Sequence, residues 1–191
     1  MKLDRVFFEQ HPSLVARALL GCELVSDIGE RRTSGMIVET EAYGSHDPGS
    51  HAFRGRTHRT RVLYGPAGRA YVYLIYGIHH MLNVVTGPAG IPSSVLLRAL
   101  EPHEGKPIMK QRRGIDEDSI VALTNGPGKL TQALGISGEH NGVDLTGNTL
   151  WIQEQSLHLS FASSRRVHVP DARQWRFYIR ENPCVSHQLS D

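Results

Sequence analysis

The sequence predicts an α+β fold built on a curved, mostly antiparallel sheet. Segments that read as strands, bounded by turn residues, far outnumber segments that read as helices. Nineteen glycines in 191 residues mark many turns. Only two segments carry helix start and stop signals, Pro12–Leu20 and Lys129–Leu134.

In the first of these, Pro12 sits at the start, Leu14, Val15, Ala18 and Leu19 share a side, and Gly21 stops the helix. Cys22–Val25 and Thr33–Tyr43 read as strands joined by a turn around Gly29. His46–Gly68 is long, polar and rich in Gly and Arg, the profile of a functional or disordered loop. Arg69–Tyr76 is the strongest strand signal. Alternation puts Tyr71, Tyr73 and Ile75 on one face and Val72, Leu74 and Tyr76 on the other. Gly77 follows, and Met81–Thr86 reads as the returning strand. Val95–Leu100 is a further strand. The second helix is opened by Asn125-Gly-Pro-Gly and closed by Gly135. Leu157–Phe161 and Trp175–Ile179 read as late strands.

The length favours one domain over residues 1–191, with a core burying roughly 70% of the unfolded chain's surface. No internal repeat or linker interrupts it. No apolar run approaches the ~20 residues of a membrane span, and Met1–Phe8 lacks a signal-peptide pattern. Cys22 and Cys184 stand far apart and form no C-x-x-C pair, which fits a reduced cytoplasmic setting.

Net charge is +2, but its distribution is uneven. From Pro48 to Leu100 there is no Asp or Glu, while Arg54, Arg56, Arg59, Arg61, Arg69 and Arg98 fall there, with His51, His58, His79 and His80. Such a segment is either a polyanion-binding face or an arginine-rich solvated surface. Five of the six tyrosines lie between Tyr43 and Tyr76. Arginine with interleaved aromatics suits nucleic acid, since Arg binds phosphate and rings stack on exposed bases. Tyr71 reads as core. Tyr76, just before a Gly turn, fits either core or an exposed tip.

Glu39, Glu41 and Tyr43 share a strand face, with the carboxylates roughly 7 Å apart. They are an exposed pair of surface acids, a water-activating carboxylate beside an aromatic ring, or the acid/base pair of a sugar hydrolase. His46, Asp47, His51, His79 and His80 lack metal-ligand spacing, so no metal is expected. Gly126-Pro-Gly-Lys129 lacks the nucleotide-loop spacing. It is either a plain helix start or, with Lys129, a holder of one backbone phosphate.

Together these segments resemble one family. Gly35-Met-Ile-Val-Glu-Thr-Glu-Ala-Tyr43 looks like the catalytic strand of the mammalian-type 3-methyladenine (alkyladenine) DNA glycosylases. Ser50-His-Ala52, Arg54-Gly-Arg-Thr57, Tyr71-Val-Tyr-Leu-Ile-Tyr-Gly77, Asn83-Val-Val85 and Leu96-Leu-Arg-Ala-Leu-Glu-Pro102 continue the match in order. Gly126-Pro-Gly-Lys-Leu-Thr-Gln-Ala-Leu134, Trp175-Arg-Phe-Tyr178 and Pro183-Cys-Val-Ser186 complete it, from about Leu14 to Ser186.

The resemblance implies an open-barrel-like sheet with short helices around it and a β-hairpin that enters the DNA minor groove. It implies that Glu41 is the general base and that Tyr43, His51 and Tyr73 sandwich a flipped base. Tyr76 then fills the space the base leaves, Asn83 disfavours guanine's amine, and Arg98 lies near the water and the target phosphate. Glu39 becomes a supporting residue. Arg54, Arg56, Arg59, Arg61 and Lys129 are expected to bind DNA. The implied partner is double-stranded DNA carrying damaged purines, handled by a monomer without a cofactor, in the cytoplasm at the nucleoid. The long N-terminal tail of mammalian members is missing, as in bacterial relatives. Thr60, Leu63 and Tyr64 depart from common family residues, and His168 stands where relatives often place Gly. Two other readings are a degenerate nucleic-acid-binding member and a carbohydrate hydrolase using Glu39 and Glu41.

Overall fold

The computed structural model describes residues 1–116, 119–155 and 159–186. Its organising element is the 11-residue strand β2 (Thr33–Tyr43). One edge of β2 pairs with β5 (Ser94–Pro102) along its length. The other edge is shared by two short strands, β1 (Glu23–Ser26) on the first half and β8 (Arg176–Ile179) on the second. Where that edge changes hands, the β2–β5 register skips Val38 on one strand and Arg98 on the other. Bulges bend a strand and re-aim side chains. Here they help curl the sheet into a half-barrel, and they leave Arg98 with no residue opposite it on β2.

The sheet continues through β4 (His79–Val85) and β3 (Ala70–Ile75) beyond β5, and through β6 (Leu150–Gln153) beyond β1. β7 (Phe161–Ser164) pairs with β8. Among the described residues every strand pairing is antiparallel. The fold is thus the α+β architecture expected, with the early strands β1 and β2 and the β3–β4 hairpin close to where the sequence puts them.

Alternation gives the sheet two faces with different tasks. Ala42, Ala70, Val72, Leu82, Val84, Val95, Leu97 and Leu100 face the main core. Helices α1 (Arg5–Phe8), α2 (Pro12–Ala18), α3 (Lys106–Arg113), α4 (Val121–Thr124) and α5 (Pro127–Leu134) feed that core with Phe8, Val15, Met109, Leu123, Leu130 and Leu134. Burying each such side chain favours folding by about 1.5–3 kcal/mol. The buried Thr40 hydroxyl ties β2 to α2 by donating to the Ala16 carbonyl at 2.8 Å.

The opposite face meets two smaller clusters. Met36, Val38, Ala99 and Ile179 pack with Cys184 and Val185 of the C-terminal segment. Ala52 and Leu63 of the long loop pack on Tyr71 and Val85. Cys22 and Cys184 are unbridged and buried, and burial first, with nearby carboxylates, pushes both thiols up to about 11.

The structure corrects two expectations and adds elements. Leu157 and His158 of the expected late strand lie outside the described residues, and the strand itself starts at Phe161. Tyr76 does not continue the alternation of β3. The strand ends at Ile75, and Tyr76 (φ 54°) and Gly77 (φ 72°) form a tight turn closed by the Ile78 N–H donating to the Ile75 carbonyl. Both central residues need positive φ there, which Gly77 supplies freely and Tyr76 only with strain. α1, α3, α4 and β6 were not anticipated.

Candidate active site

Four strands of the curled sheet send side chains to the face opposite the main core, and there they line a cavity of about 450 Å³. β2 contributes Tyr43, and β3 contributes Tyr71, Tyr73 and Ile75. Met81 and Asn83 come from β4, and Ser94, Leu96 and Arg98 from β5. Gly49, Ser50, His51 and Leu63 of the long loop form one side wall, and Val167, His168 and Val169 another. Tyr76 and Pro127 stand at the edge of the same cavity. The sequence-derived substrate residues Tyr43, His51, Tyr73, Asn83 and Arg98 are therefore brought together.

Glu41 stands just behind the wall and is fully buried. Three lining residues hold its carboxylate. Val167 N–H donates to Oε1 at 2.7 Å. Tyr43 OH donates to Oε2 at 2.8 Å, and the Arg98 guanidinium lies 3.3 Å from the same oxygen. A carboxylate has about four lone-pair sites, and these three donors engage both of its oxygens. Burial first, and then the Glu41 charge, push the Tyr43 hydroxyl far above its ordinary range, so it stays a proton donor.

Glu39 is also fully buried, which removes the surface-acid reading of the pair. It accepts from Arg98 Nε at 2.9 Å, Arg176 Nε at 2.7 Å and Ser186 N–H at 2.6 Å. Burial raises its pKa, but the two arginines and these hydrogen bonds outweigh burial and hold it below the ordinary value. Glu39 is absent from the described lining. It acts on the site through Arg98, which bridges both carboxylates. The strand bulge at Arg98 makes that bridge possible.

The ring wall is joined by hydrogen bonds. His51 meets Tyr73 edge-on with centroids 4.5 Å apart, and its Nδ1 lies 3.1 Å from Tyr71 OH. Tyr71 is core as expected, yet its hydroxyl also orients His51. Burial, then the charge of Arg59, lower the His51 pKa and favour its neutral form. Burial likewise pushes Tyr73 up to about 12. Asn83 is nearly buried and donates to the Tyr71 carbonyl at 3.3 Å.

The charged segment divides in two. Arg98 is neutralised by its two glutamates, and Arg69 lies 3.6 Å from Asp144. Arg54, Arg56, Arg59 and Arg61 are exposed on the loop. Arg59 lies 5.1 Å above the Tyr73 ring, so this loop reaches the cavity. Lys129 is half-buried, and its Nζ donates to Asn125 Oδ1 at 2.7 Å. The described residues hold no cluster of three or more His, Cys, Asp or Glu suited to a metal. No helix among them is long and apolar enough to cross a membrane.

Sequence reasoning missed the group that fixes one wall. Arg166 is buried and grips Asp47 with two nitrogens, the Ala42 carbonyl at 2.8 Å, and Asp171. Its guanidinium also lies 4.6 Å from the Tyr43 ring. Arg166 thus joins the long loop, β2 and the Val167 segment. The oppositely charged partners lie more than 100 positions apart in the Asp47 case, so no local pattern signals them.

Comparison with known proteins gives a consistent result. The family pattern described as methylpurine-DNA glycosylase matches residues 6–183. A protein of Clostridium acetobutylicum, provisionally named 3-methyladenine DNA glycosylase, is 46% identical over 97% of this chain and 98% of its own. One of Methanoculleus marisnigri with the same provisional name is 50% identical over 98% of this chain and all of its own. A third, from Bacillus cytotoxicus, is 43% identical over 97% of this chain.

Proposed function

The chain belongs to the methylpurine-DNA glycosylase family, and from that premise we propose that it extrudes alkylated or deaminated purines from duplex DNA and hydrolyses their N-glycosidic bond. The family and its relatives support a DNA glycosylase of the 3-methyladenine type. The observation that carries the finer reading is the buried Glu41 carboxylate, aimed by Tyr43, Arg98 and the Val167 amide behind a ring-walled cavity.

A purine in a duplex is out of reach, so it must leave the stack at a cost of a few kcal/mol, least for a damaged base. The aromatic wall then favours an electron-poor or cationic base. Such a base leaves readily, so one positioned water and one carboxylate suffice. Glu41 takes the water's proton, and its negative charge offsets positive charge growing on the sugar. Hypoxanthine, being neutral, needs added protonation. No lysine is among the described lining residues, which supports hydrolysis without an amine-linked strand cleavage. The protein acts as a cytoplasmic, nucleoid-associated monomer, in one domain and without a cofactor. The carbohydrate-hydrolase reading is disfavoured because both Glu39 oxygens are engaged by arginines and an amide.

Base release from duplexes carrying 3-methyladenine, 7-methylguanine, hypoxanthine or an etheno-adduct tests the proposal. Release of at least one supports it. Duplex binding without any release would favour a degenerate binding member.

Duplex binding is expected to weaken with salt. If the four exposed arginines Arg54, Arg56, Arg59 and Arg61 each contact a phosphate, log K against log salt has a slope of roughly −3.6. A titration giving a slope near zero removes the role of this loop.

Tyr76 is 85% exposed at the hairpin tip, beside Ile78 at 71%. An exposed ring with no burial to lose is suited to enter the minor groove and replace the extruded base. Tyr76→Ala is expected to lower the extruded fraction, read with a fluorescent base analogue, by about tenfold while the melting temperature stays within a few degrees. Unchanged extrusion would leave the tip without this role.

A further inference from the structure

After β8 the chain turns back and passes behind the site. Glu181 takes φ 59°, and the Asn182 carbonyl accepts from the Val185 N–H. The Asn182 side chain pins this turn twice. Its amide donates to Glu101 of β5 at 2.7 Å, and its oxygen accepts from the Cys184 N–H at 2.9 Å. Cys184 and Val185 are buried with Met36, Val38, Ala99 and Ile179. Ser186 is thereby delivered to one place, beside Glu39 and Arg98.

There it makes two contacts. Its N–H donates to Glu39 Oε2 at 2.6 Å, a short charge-assisted bond. Its hydroxyl oxygen accepts from Arg98 Nη2 at 3.4 Å. Each of the three Arg98 nitrogens then has its own acceptor. Nε donates to Glu39 at 2.9 Å, Nη1 to Glu41 at 3.3 Å and Nη2 to Ser186.

A guanidinium is planar, so its nitrogens turn together. Rotation about the Cδ–Nε bond would leave Nε in place and sweep both Nη atoms aside. A contact at Nη2 opposes that sweep and so keeps Nη1 on Glu41. Arg98 stands at a strand bulge with no β2 residue opposite it, so the brace comes from elsewhere. Residues 182–186 are not among those lining the cavity, so this turn acts on the site from behind.

We propose that Ser186 is a positioning residue, whose hydroxyl and amide hold the Arg98 plane so that Nη1 stays aimed at the Glu41 carboxylate. The inference rests on the glycosylase reading and deepens it. A loosened Arg98 lets Glu41 tilt away from the water it activates. The loss then falls on the bond-breaking step and not on binding.

The test compares wild type with Ser186→Ala and Ser186→Thr, using whichever lesion duplex named above the wild type processes fastest. Alanine keeps the N–H and loses the hydroxyl. Its single-turnover rate is expected to fall about threefold to tenfold, the size of one hydrogen bond to a charged group near solvent. Affinity for a duplex with a tetrahydrofuran abasic analogue should stay within about twofold, and the melting temperature within a few degrees. Threonine keeps the hydroxyl and should restore the rate. A second arm uses Arg98→Lys. An ammonium has no plane to hold, so adding Ser186→Ala to that variant should lower the rate no further.

An unchanged rate in Ser186→Ala, or a loss that threonine does not restore, would overturn the proposal. So would an equal further loss in the Arg98→Lys background, because Ser186 would then act by another route. A rate loss matched by a lower melting temperature or weaker abasic-duplex binding would overturn it as well, reducing the turn to packing. Wild-type protein that releases no base would instead sink the glycosylase reading itself, so the two failures are distinguishable.

Discussion

Glu41→Gln is expected to lower base release by at least about 10²–10⁴, the usual worth of general-base assistance. Glutamine keeps the shape but cannot accept the water's proton. The site adds a second penalty. All three groups around the carboxylate are donors, Val167 N–H, Tyr43 OH and Arg98. Whichever end takes the amide nitrogen therefore faces a donor, at a cost of about 1–3 kcal/mol. Duplex binding should survive, because the exposed loop arginines are untouched.

Glu39→Gln separates the roles of the two carboxylates. It leaves buried Arg98 and Arg176 with less compensating charge, so it should weaken the fold and reach catalysis only through Arg98. The Glu39 pKa is held below the ordinary 4.5, so its stabilisation is present above that pH and is lost as pH falls through the folded value. Single-turnover excision and denaturant unfolding on both variants decide the matter. If Glu41→Gln excises at the wild-type rate, the assignment of the base is wrong. If both variants lose excision equally with folding intact, two carboxylates act in the chemistry.

Arg166→Ala is expected to destabilise the fold by up to about 3–5 kcal/mol, because it removes the two-nitrogen grip on a buried carboxylate. Asp47 has a side chain only 1% exposed, and Arg173, itself 37% exposed, would be its remaining ion-pair partner at 2.8 Å among the described residues. For a chain of this length that amounts to a fall in melting temperature of roughly 10 °C. Excision should fall as well, even well below the melting point. The long loop carrying His51, the Tyr43 ring and the Val167 amide are all fixed through Arg166. Arg166→Lys should be intermediate, since an ammonium cannot span these acceptors as a planar fork does. A melting temperature within a couple of degrees of wild type would show that the clamp does not hold this wall.

The parts of the site legible in the sequence are those that lie on β2–β5. There, alternation puts Glu41 and Tyr43 on one strand face, and the family resemblance adds Tyr73, Asn83 and Arg98, with His51 from the long loop. What was not legible depends on contacts distant in the chain. The grip of Arg166 on Asp47 and that of Arg176 on Glu39 leave no periodic trace. The resemblance marked Arg98 as a site residue, but its bridge between two glutamates is set by the bulge and has no sequence signal. The missed elements are short or weakly patterned. β6 has four residues, and α3 buries only Met109. Tyr76 was placed on the wrong face because a positive φ ends the alternation one residue early.

The two sequestered thiols bear on how such a protein withstands the agents that create its proposed substrates. Small electrophiles that alkylate purines also attack cysteine, and the thiolate is the species that reacts. With both thiols pushed up to about 11, the ionised fraction at neutral pH is only about one part in ten thousand. Cys184 is fully buried and Cys22 is 7% exposed, so what little thiolate forms is also out of reach. The two cysteines thus present no ready thiolate to the chemistry whose damage the protein is proposed to remove. Neither thiol is among the described residues lining the cavity, so alkylation of a cysteine would not by itself block that space.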